Sequence, residues 1–224
     1  MRERKKGIFI TIEGIEGCGK STQVRILKNY LEKKGLDVLL TREPGGTEIG
    51  NQIRKVLLDK RNKKIVPCSE LFLYAASRVQ HVEEVILPAL QEGKTVVCDR
   101  FSDATTAYQG YGRGLNRNIV SVINRFSTKG LIPDLTIILD LPQEIGLKRA
   151  RTRNREKGLS MKEGRFEEES LLFHKKVRQG YLRIRKSEPK RVKVINAGHD
   201  IKKVNSQISK EVDKLLQKGI THGY

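Results

Sequence analysis

A glycine-rich segment near the amino terminus carries the strongest chemical signal in the chain. Residues 14–21 read GIEGCGKS and fit the pattern G-x-x-x-x-G-K-[ST]. Its glycines let the backbone curl so that successive N–H groups face a bound anion. Lys20 can then reach the β- and γ-phosphates, and Ser21 can ligate Mg²⁺. The segment therefore predicts a nucleoside triphosphate site.

The whole segment is expected to contribute to ATP binding, through Gly14, Ile15, Glu16, Gly17, Cys18, Gly19, Lys20, Ser21 and Thr22. Glu16 is unusual in such a loop, because a carboxylate repels phosphate groups. The direction of the Cys18 side chain stays open at this stage. It either faces the bound phosphates or is an inert small residue that faces the sheet.

The flanking segments supply the elements that must position this loop. The β-branched run Ile8–Thr11 continues to Glu13 and predicts a buried strand, and Thr22–Lys34 predicts a helix that ends before Gly35. Strand, glycine-rich loop and helix is the context that a phosphate-binding loop requires.

Extended and helical segments alternate along the rest of the chain, which is typical of a doubly wound parallel sheet. The further predicted strands are Asp37–Thr41, Thr95–Asp99, Leu135–Leu141 and Arg191–Ile195. The further predicted helices are Glu48–Lys60, Ser69–Leu90, Asn116–Lys129, Glu144–Arg153, Arg165–Lys186 and Ile201–Lys218. Pro88 is expected to kink or divide the third of the predicted helices. The predicted fold class is α/β, of the P-loop NTPase type, with a five-stranded parallel sheet and helices on both faces.

Polar residues follow several predicted strands and loops. Asp99 ends an apolar strand, as the acidic residue near Mg²⁺ does in P-loop proteins. Tyr108–Gly114 is predicted to be a glycine-rich loop. The stretch Asn154–Gly164 lacks apolar periodicity and predicts a mobile lid at about residues 150–165. Residues 1–224 are expected to form one domain.

Composition narrows the setting in which the chain works. It has 224 residues, a formal charge of +19, and three cysteines at 18, 68 and 98 without a C-x-x-C pair. Such cysteines favour a reducing cytoplasm over a disulfide framework or a zinc site. No apolar run has the length of a membrane span, and the charged start Met1–Lys6 lacks a following apolar region. We expect no membrane and no specific nucleic acid as partner, because nucleotide substrates themselves explain a basic cleft.

Three kinds of P-loop protein compete for this sequence. A GTPase needs N-K-x-D, and the nearest segment, Asn62–Ile65, lacks the aspartate. An ATPase stimulated by nucleic acid remains an alternative because of the charge. A nucleotide or deoxynucleoside kinase needs a second nucleotide pocket and a basic lid, and the chain has candidates for both.

Several segments together resemble the thymidylate kinase family. They read GIEGCGKST, TREPGGTEIG, LFLYAASR, CDRFSDATTAYQGYGRG, PDLTIILDL and GRFEEES, and they span about Ile8 to Ala197. The resemblance implies that the protein is a homodimer. It also implies that Mg·ATP donates its γ-phosphoryl group to dTMP, which yields dTDP for dTTP synthesis.

The resemblance also implies a dTMP-binding set of Glu16, Arg42, Tyr74, Arg78, Arg100, Thr105, Tyr108 and Gln109. Glu16 would contact the deoxyribose 3′-hydroxyl, and Arg42 and Arg100 would hold the dTMP phosphate. Tyr74 would stack on thymine, and Arg78 would donate to its O4. Thr105 and Gln109 would contact base and sugar, and Tyr108 would lie against C2′.

On the ATP side, the resemblance implies arginines from the lid and a loop at the adenine. Arg149, Arg153 and Arg165 are the lid candidates, with Arg153 neutralising the transferred phosphoryl group, and Asn196–Ala197 resembles the adenine loop. The predicted catalytic residues are Lys20, Arg153, Asp99, Arg100 and Glu16, and the predicted metal ligands are Ser21 and Asp99. Two residues depart from the family pattern: Ala104 stands where serine is common, and Gly164 where aspartate is common.

Overall fold

The strands were studied in a computed structural model, which describes residues 7–156 and 164–221. They are β1 Ile8–Glu13, β2 Val38–Arg42, β3 Thr95–Asp99, β4 Leu135–Asp140 and β5 Val192–Asn196. All five predicted strands are confirmed, with ends shifted by at most one residue. Their apolar, β-branched sequences suit strands covered on both faces.

The five strands form one parallel sheet in the order β2-β3-β1-β4-β5. The central β1 therefore has β3 on one side and β4 on the other, with Ile12 opposite both Asp99 and Ile137. The strand order reverses around β1, and ligands of open α/β sheets bind at such a point, beyond the carboxyl ends of the strands. The glycine-rich loop leaves β1 at that edge.

The helices are α1 Lys20–Lys33, α2 Glu48–Leu58, α3 Pro67–His81, α4 Leu87–Gln91, α5 Ser102–Thr105, α6 Arg117–Ser127, α7 Gln143–Glu156, α8 Leu171–Ser187 and α9 Ile201–Thr221. Three predicted starts were wrong, and the first of them is that of α1, which begins at Lys20 rather than Thr22. Helix α3 begins at Pro67 rather than Ser69, because proline suits the first helical turn. Helix α8 begins at Leu171 rather than Arg165, since a 3₁₀ turn at Phe166–Glu168 precedes it. The Ser170 hydroxyl caps α8 by accepting the N–H of Phe173.

The helices cover both faces of the sheet, as predicted. Apolar residues of α1 and α9 pack on Ile10 and Ile12 of β1. The helical stretch 82–91 packs on Phe9, which points to the opposite face. Helix α8 lies on that same face, where Tyr181 reaches Glu13 at the end of β1. Because side chains alternate along a strand, β1 alone presents residues to both helical layers.

The predicted loop at Tyr108–Gly114 is wrong, because Thr106–Gly112 form π-helical turns that continue α5. Close packing against α8 explains the difference. A side chain at Gly112 would meet the Phe173 ring at 2.7 Å, and one at Gly180 would meet Tyr111 at 2.8 Å. These glycines therefore bring two backbones together rather than open a flexible loop.

The helix that Pro88 was expected to kink or divide is divided. A π-helical stretch at Val82–Ile86 joins α3 to α4, and Pro88 lies in the first turn of α4. A π-helical turn before a proline removes the clash that its ring would make in a regular helix.

Residues 157–163 of the predicted lid at 150–165 lie outside the described residues. Helix α7 continues to Glu156, so the prediction that helix ends at Arg153 was wrong. Within 7–156 and 164–221, no helix is both long and apolar enough to span a bilayer.

Candidate active site

The glycine-rich loop joins β1 to α1 in the conformation that its glycines were expected to permit. Gly14, Gly17 and Gly19 have φ of 136°, 70° and 94°, all in the region that disfavours side chains. At Gly17 a side chain would also overlap the carbonyl oxygen of Gly146 on α7. The loop therefore packs directly on the backbone of α7.

Lys20 and Cys18 lie beneath the loop. The Lys20 ammonium donates to the carbonyl oxygens of Gly14 at 3.0 Å and Ile15 at 2.8 Å. The Cys18 side chain is buried in the core cluster that includes Ile10 and Ile12. Of the two directions left open for Cys18, the structure shows the one facing the sheet.

A hydroxyl and a carboxylate meet where β3 ends. Ser21 donates to Asp99 at 3.2 Å, although the two residues are 78 positions apart. No group of three or more His, Cys, Asp or Glu with metal-binding geometry occurs in the described ranges. One hydroxyl and one carboxylate still fit Mg²⁺, which keeps several waters and takes its other ligands from substrate phosphates.

A cavity of ≈ 620 Å³ extends from the loop across the carboxyl edge of the sheet to α3. Its wall includes most of the predicted site residues: Glu16, Gly17, Gly19, Lys20, Ser21, Thr22, Arg42, Tyr74, Arg78, Asp99, Arg100, Thr105, Tyr108, Gln109, Arg149 and Arg153. The predicted set thus comes together in space from five separate segments, 16–22, 42, 74–78, 99–109 and 149–153.

At the α3 end of the cavity, the Arg78 guanidinium is held rigidly. Its Nε donates to Glu43 at 2.8 Å, one Nη donates to Asn124 at 3.1 Å, and the other donates to Thr105 at 2.8 Å. The Arg78–Glu43 pair is almost fully buried. The sequence analysis did not select Glu43, although it belongs to the segment TREPGG.

A second buried carboxylate organises the region behind Gln109. Glu70 accepts hydrogen bonds from Gln109 at 2.8 Å and Arg113 at 3.1 Å, and it pairs with Arg165 at 2.7 Å. Burial alone would raise the pKa of Glu70, but Arg113 and its other partners lower it. Arg165 also donates to the Leu57 carbonyl oxygen and does not line the cavity. The prediction that Arg165 acts as a lid arginine is therefore wrong.

Arg100 lies between the phosphate-loop end and the α3 end of the cavity. Its φ of 70° is rare for a residue with a side chain, and the next N–H, of Phe101, donates to Glu13 at 2.7 Å. The guanidinium donates to the Gly14 carbonyl oxygen at 2.9 Å and to Glu16 at 2.9 Å. Arg100 thus ties the end of β3 to the phosphate loop.

Glu16 is held in the cavity wall as a carboxylate. One oxygen accepts from Arg100 and from the Tyr108 hydroxyl at 2.6 Å, and His174 lies at the other. Burial alone would raise the pKa of Glu16, but Arg100, His174 and Lys20 together lower it well below its usual range. The charge of Glu16, unexpected in a phosphate loop, is therefore compensated by neighbouring cations.

The lid side of the cavity contains Arg149 and Arg153 of α7. Arg149 is 3.5 Å from the Ala197 carbonyl oxygen, and Arg153 is 3.6 Å from the Glu167 carboxylate. Asn196 is the last residue of β5 and Ala197 follows it, and neither lines the main cavity. Ala197 lies beside Arg149, whose side chain lines that cavity.

The sequence analysis missed several residues of the site besides Glu43. Arg54 of α2 lines the cavity and donates to the Pro44 carbonyl oxygen at 3.1 Å. Glu13 and His174 lie directly behind the wall. Glu13 could have been selected from the sequence because it is the last residue of a predicted apolar strand. His174 lies inside a basic helix, where no sequence pattern distinguishes it from its neighbours.

Comparison with known proteins gives one consistent answer. Residues 12–208 match the family model described as thymidylate kinase. The chain is 54% identical over 195 residues to the thymidylate kinase of Geotalea daltonii, covering 87% of this chain and 91% of that protein. It is 50% identical to the thymidylate kinase of Citrifermentans bemidjiense, covering 94% and 93%. The crystal structure of thymidylate kinase from Ehrlichia chaffeensis is similar with a TM-score of 0.73 at 32% identity, covering 92% of this chain and 99% of that one.

Proposed function

The chain belongs to the thymidylate kinase family, and from that premise we propose how its cavity transfers the γ-phosphoryl group of ATP to dTMP. The protein is a nucleoside monophosphate kinase, an ATP:dTMP phosphotransferase, rather than a different P-loop kinase or a nucleic-acid-stimulated ATPase. One observation carries the residue assignments. A single cavity joins the phosphate loop to the pocket around Arg78, with Arg42 and Arg100 between them.

ATP binds with its phosphates on the backbone N–H groups of residues 14–22. Lys20 then exchanges the carbonyl oxygens of Gly14 and Ile15 for phosphate oxygens, which are stronger partners for an ammonium group. Arg149 lies beside the adenine, which rests on the loop Asn196–Ala197. Ser21 and Asp99 would hold Mg²⁺, which when bound neutralises charge on the ATP phosphates.

The α3 end of the cavity binds the nucleoside of dTMP. Tyr74 stacks on thymine, while Arg78 directs an N–H at O4. The hydrogen bonds from Arg78 to Glu43 and Thr105 fix that direction before the substrate arrives. Thr105 and Gln109 contact base and sugar. Tyr108 is buried and lines the cavity, and in this proposal it lies against C2′, where a ribose 2′-hydroxyl would collide with it.

The transfer step depends on position and charge rather than on a protein nucleophile. Arg42 and Arg100 hold the dTMP phosphate, whose oxygen attacks the γ-phosphorus in line. Arg153 stabilises the charge that spreads over the transferred phosphoryl group, and Glu16 accepts a hydrogen bond from the deoxyribose 3′-hydroxyl. The acceptor phosphate is already ionised, so no strong base is required.

A homodimer is part of this proposal. Ile119, Val122 and Phe126 lie on one side of α6 and are 57%, 68% and 81% exposed, and Phe72 of the neighbouring α3 is 56% exposed. Such a clustered apolar surface favours contact with a second copy of the chain. Val122→Glu should shift the protein toward monomer in light scattering after gel filtration. The matched surface variant Lys129→Glu should leave the mass unchanged.

We also propose a cytoplasmic location and no role for nucleic acid. Cys18, Cys68 and Cys98 are all free, as suits a reducing compartment. Association with DNA or RNA should be weak and salt-sensitive, without stimulation of ATP turnover. Tight binding at physiological salt with stimulated hydrolysis would contradict this.

The direct test is an ADP-release assay with each nucleoside monophosphate in turn. dTMP should be the best acceptor, dUMP weaker for want of the methyl contact by about 1–3 kcal/mol, and AMP and CMP nearly inert. Lys20→Ala should abolish turnover, whereas Lys28→Ala, on the outer side of the same helix, should not. Equal turnover of AMP and dTMP would refute the base assignments.

Arg153 can be tested against a neighbour on the same helix. Arg153→Ala should lower kcat by about 10³-fold or more, with little change in dTMP affinity, because its contact forms in the transition state. Arg151 lines no part of the cavity and donates to the Glu167 carbonyl oxygen. Loss of activity in Arg151→Ala but not in Arg153→Ala would reverse the assignment.

A further inference from the structure

His174 of α8 lies directly behind the cavity wall. Its side chain is fully buried and does not line the cavity. Nε2 is 2.9 Å from the carbonyl oxygen of Phe166, and Nδ1 is 3.3 Å from Oε2 of Glu16. The ring therefore bridges the 3₁₀ turn at Phe166–Glu168 and the phosphate loop.

The two contacts together specify the protons on the ring. A carbonyl oxygen only accepts, so Nε2 must carry a hydrogen. An ionised carboxylate also only accepts, so a hydrogen bond from Nδ1 to Glu16 requires a second hydrogen on the same ring. Nδ1 and Oε2 are both buried and lie 3.3 Å apart, and neither has any other hydrogen-bond partner in the structure. Only the doubly protonated ring satisfies both contacts, and the charge of Glu16 compensates it.

We propose that His174 is a positioning residue that, in its doubly protonated form, holds the Glu16 carboxylate in one orientation at the cavity wall. Arg100 and Tyr108 hold one oxygen of Glu16, and His174 holds the other. A carboxylate restrained at both oxygens is prepared to accept a substrate hydroxyl without reorganising. The inference rests on the proposed contact between Glu16 and the 3′-hydroxyl of dTMP.

The proposal predicts that His174 affects the reaction only when the sugar of the substrate carries a 3′-hydroxyl. His174 touches neither nucleotide, so its effect should pass through Glu16 to the 3′-hydroxyl. It should therefore be visible with dTMP and absent with 3′-deoxy-dTMP, which lacks that hydroxyl. Binding of ATP should not respond to it.

Two isosteric variants separate positioning from packing. In His174→Asn the amide nitrogen lies near the position of Nδ1 and can donate to Glu16 without being charged, whereas in His174→Gln it lies near Nε2. We expect His174→Gln to lower kcat/KM for dTMP by about 10-fold or more, the loss typical of a hydrogen bond to a charged group. His174→Asn should stay within about threefold, and KM for ATP should change in neither. Lys175→Gln, on the exposed side of α8, is the control.

The outcomes are distinct. A loss confined to His174→Gln that disappears with 3′-deoxy-dTMP supports the proposal. Equal losses in both variants, no loss in either, or an equal loss with dTMP and 3′-deoxy-dTMP overturn it. Wild-type enzyme that fails to prefer dTMP over other monophosphates would instead refute the proposed function, which is a separate result.

A measurement on the wild-type protein removes any dependence on whether the variants fold. The ¹⁵N NMR signals of the histidine side chains distinguish a ring with one proton from a ring with two. His174, identified by the signal that is missing from His174→Asn or from a His174→Phe sample, should carry hydrogens on both nitrogens at pH 7. A singly protonated His174 at that pH overturns the proposal.

Discussion

Glu13 and Glu16 lie three residues apart, one at the end of β1 and one in the phosphate loop, and their surroundings act on them in opposite directions. Burial and the nearby Asp103 raise the pKa of Glu13 to about 8. The pKa of Glu16 is well below its usual range, although burial acts on it in the upward direction too. Two carboxyl groups of one short segment thus differ in charge at neutral pH.

The pKa values of Glu13 and Glu16 differ because the two carboxyl groups have different hydrogen-bonding and charged partners, and not because one group is buried more deeply. Glu13 is buried and accepts from the Phe101 N–H and the Tyr181 hydroxyl, which are neutral donors. Glu16 pairs with Arg100 and lies 3.3 Å from His174, and Lys20 adds a further positive charge. Neutral donors offset only part of the cost of burying a charge, whereas cations can exceed it.

The comparison assigns different work to the two regions. Glu13 anchors the backbone after Arg100 from behind the sheet, and it can do so as a neutral acid through its remaining acceptor oxygen. Glu16 lines the cavity and is held as a carboxylate, so that both of its oxygens can accept hydrogen bonds, including the proposed one from the substrate 3′-hydroxyl. Arg100 touches Glu16 directly and also lowers the pKa of Glu13, so it is the group through which the two regions communicate.

Removing Arg100 should have the largest effect, because it disturbs both regions. Arg100→Ala should lower kcat/KM for dTMP by about 10³-fold and destabilise the fold by about 3–5 kcal/mol, since Glu16 loses its main cation. Steady-state kinetics measures the change in kcat/KM, and urea unfolding measures the change in stability. Arg100→Gly should be about 1 kcal/mol more stable than Arg100→Ala, because glycine accepts a φ of 70° without strain. Equal stability of the two variants would contradict this role for the backbone.

Glu16→Gln should have the next largest effect. The amide presents an N–H to either Arg100 or His174, both of which are donors, so kcat/KM for dTMP should fall by about 10- to 100-fold. Glu32→Gln, on the exposed side of α1, serves as control. Activity of Glu16→Gln within threefold of wild type would show that the charge of Glu16 is not used.

Glu13→Gln should change the pH dependence of stability more than it changes activity. A group whose pKa is raised on folding, here from 4.5 to about 8, stabilises the fold fully below pH 4.5 and loses that contribution as the pH rises to 8. Relative to wild type, the free energy of unfolding of Glu13→Gln should therefore increase between pH 5 and 8, by at most about 1.4 kcal/mol per pH unit.

Glu16→Gln is the contrasting variant for this measurement. Because the pKa of Glu16 is lower in the folded protein than in the unfolded chain, Glu16 stabilises the fold at any pH above its unfolded pKa. That contribution is lost only when the pH falls below the unfolded pKa. In a His174→Asn background, which removes the titration of the neighbouring histidine, the free energy of unfolding of Glu16→Gln should run parallel to that of His174→Asn alone between pH 5 and 8 in urea titrations. Parallel behaviour of Glu13→Gln as well would refute the raised pKa of Glu13.

The smallest effects should come from the two tyrosines that serve the two carboxyl groups. Tyr181→Phe removes the hydroxyl at Glu13, and Tyr108→Phe removes the one at Glu16. Each should cost about 1 kcal/mol of stability. Only Tyr108→Phe should raise KM for dTMP, because only Tyr108 lines the cavity. The same change in KM for both would erase the functional distinction between the two regions.

Local patterns in the sequence were enough to place the phosphate loop and all five strands. Glycines at 14, 17 and 19 are needed for a backbone with positive φ, and β-branched runs favour buried strands wherever they occur. These are properties of a few adjacent residues. The resemblance of several ordered segments to one family added the activity, which no single segment specified.

The errors fall where packing between distant segments decides local structure. Thr106–Gly112 is helical because Gly112 and Gly180 let two helices approach closely, and glycine in a sequence does not distinguish such a contact from a loop. Arg165 was assigned to the lid from the family resemblance. The structure places it on Glu70, 95 positions away in the chain, where a charge can be buried only with a partner.

The sequence alone predicted the position of the phosphate loop and the conformation of its backbone, because residue type and short spacing control backbone conformation and available donors. Only the tertiary structure decided that β1 lies between β3 and β4, and with it which groups surround each carboxylate. Glu16 and His174 are 158 positions apart, and Glu13 and Tyr181 are 168 apart. A pKa depends on charges within a few ångströms, and those distances exist only after the sheet and α8 have packed.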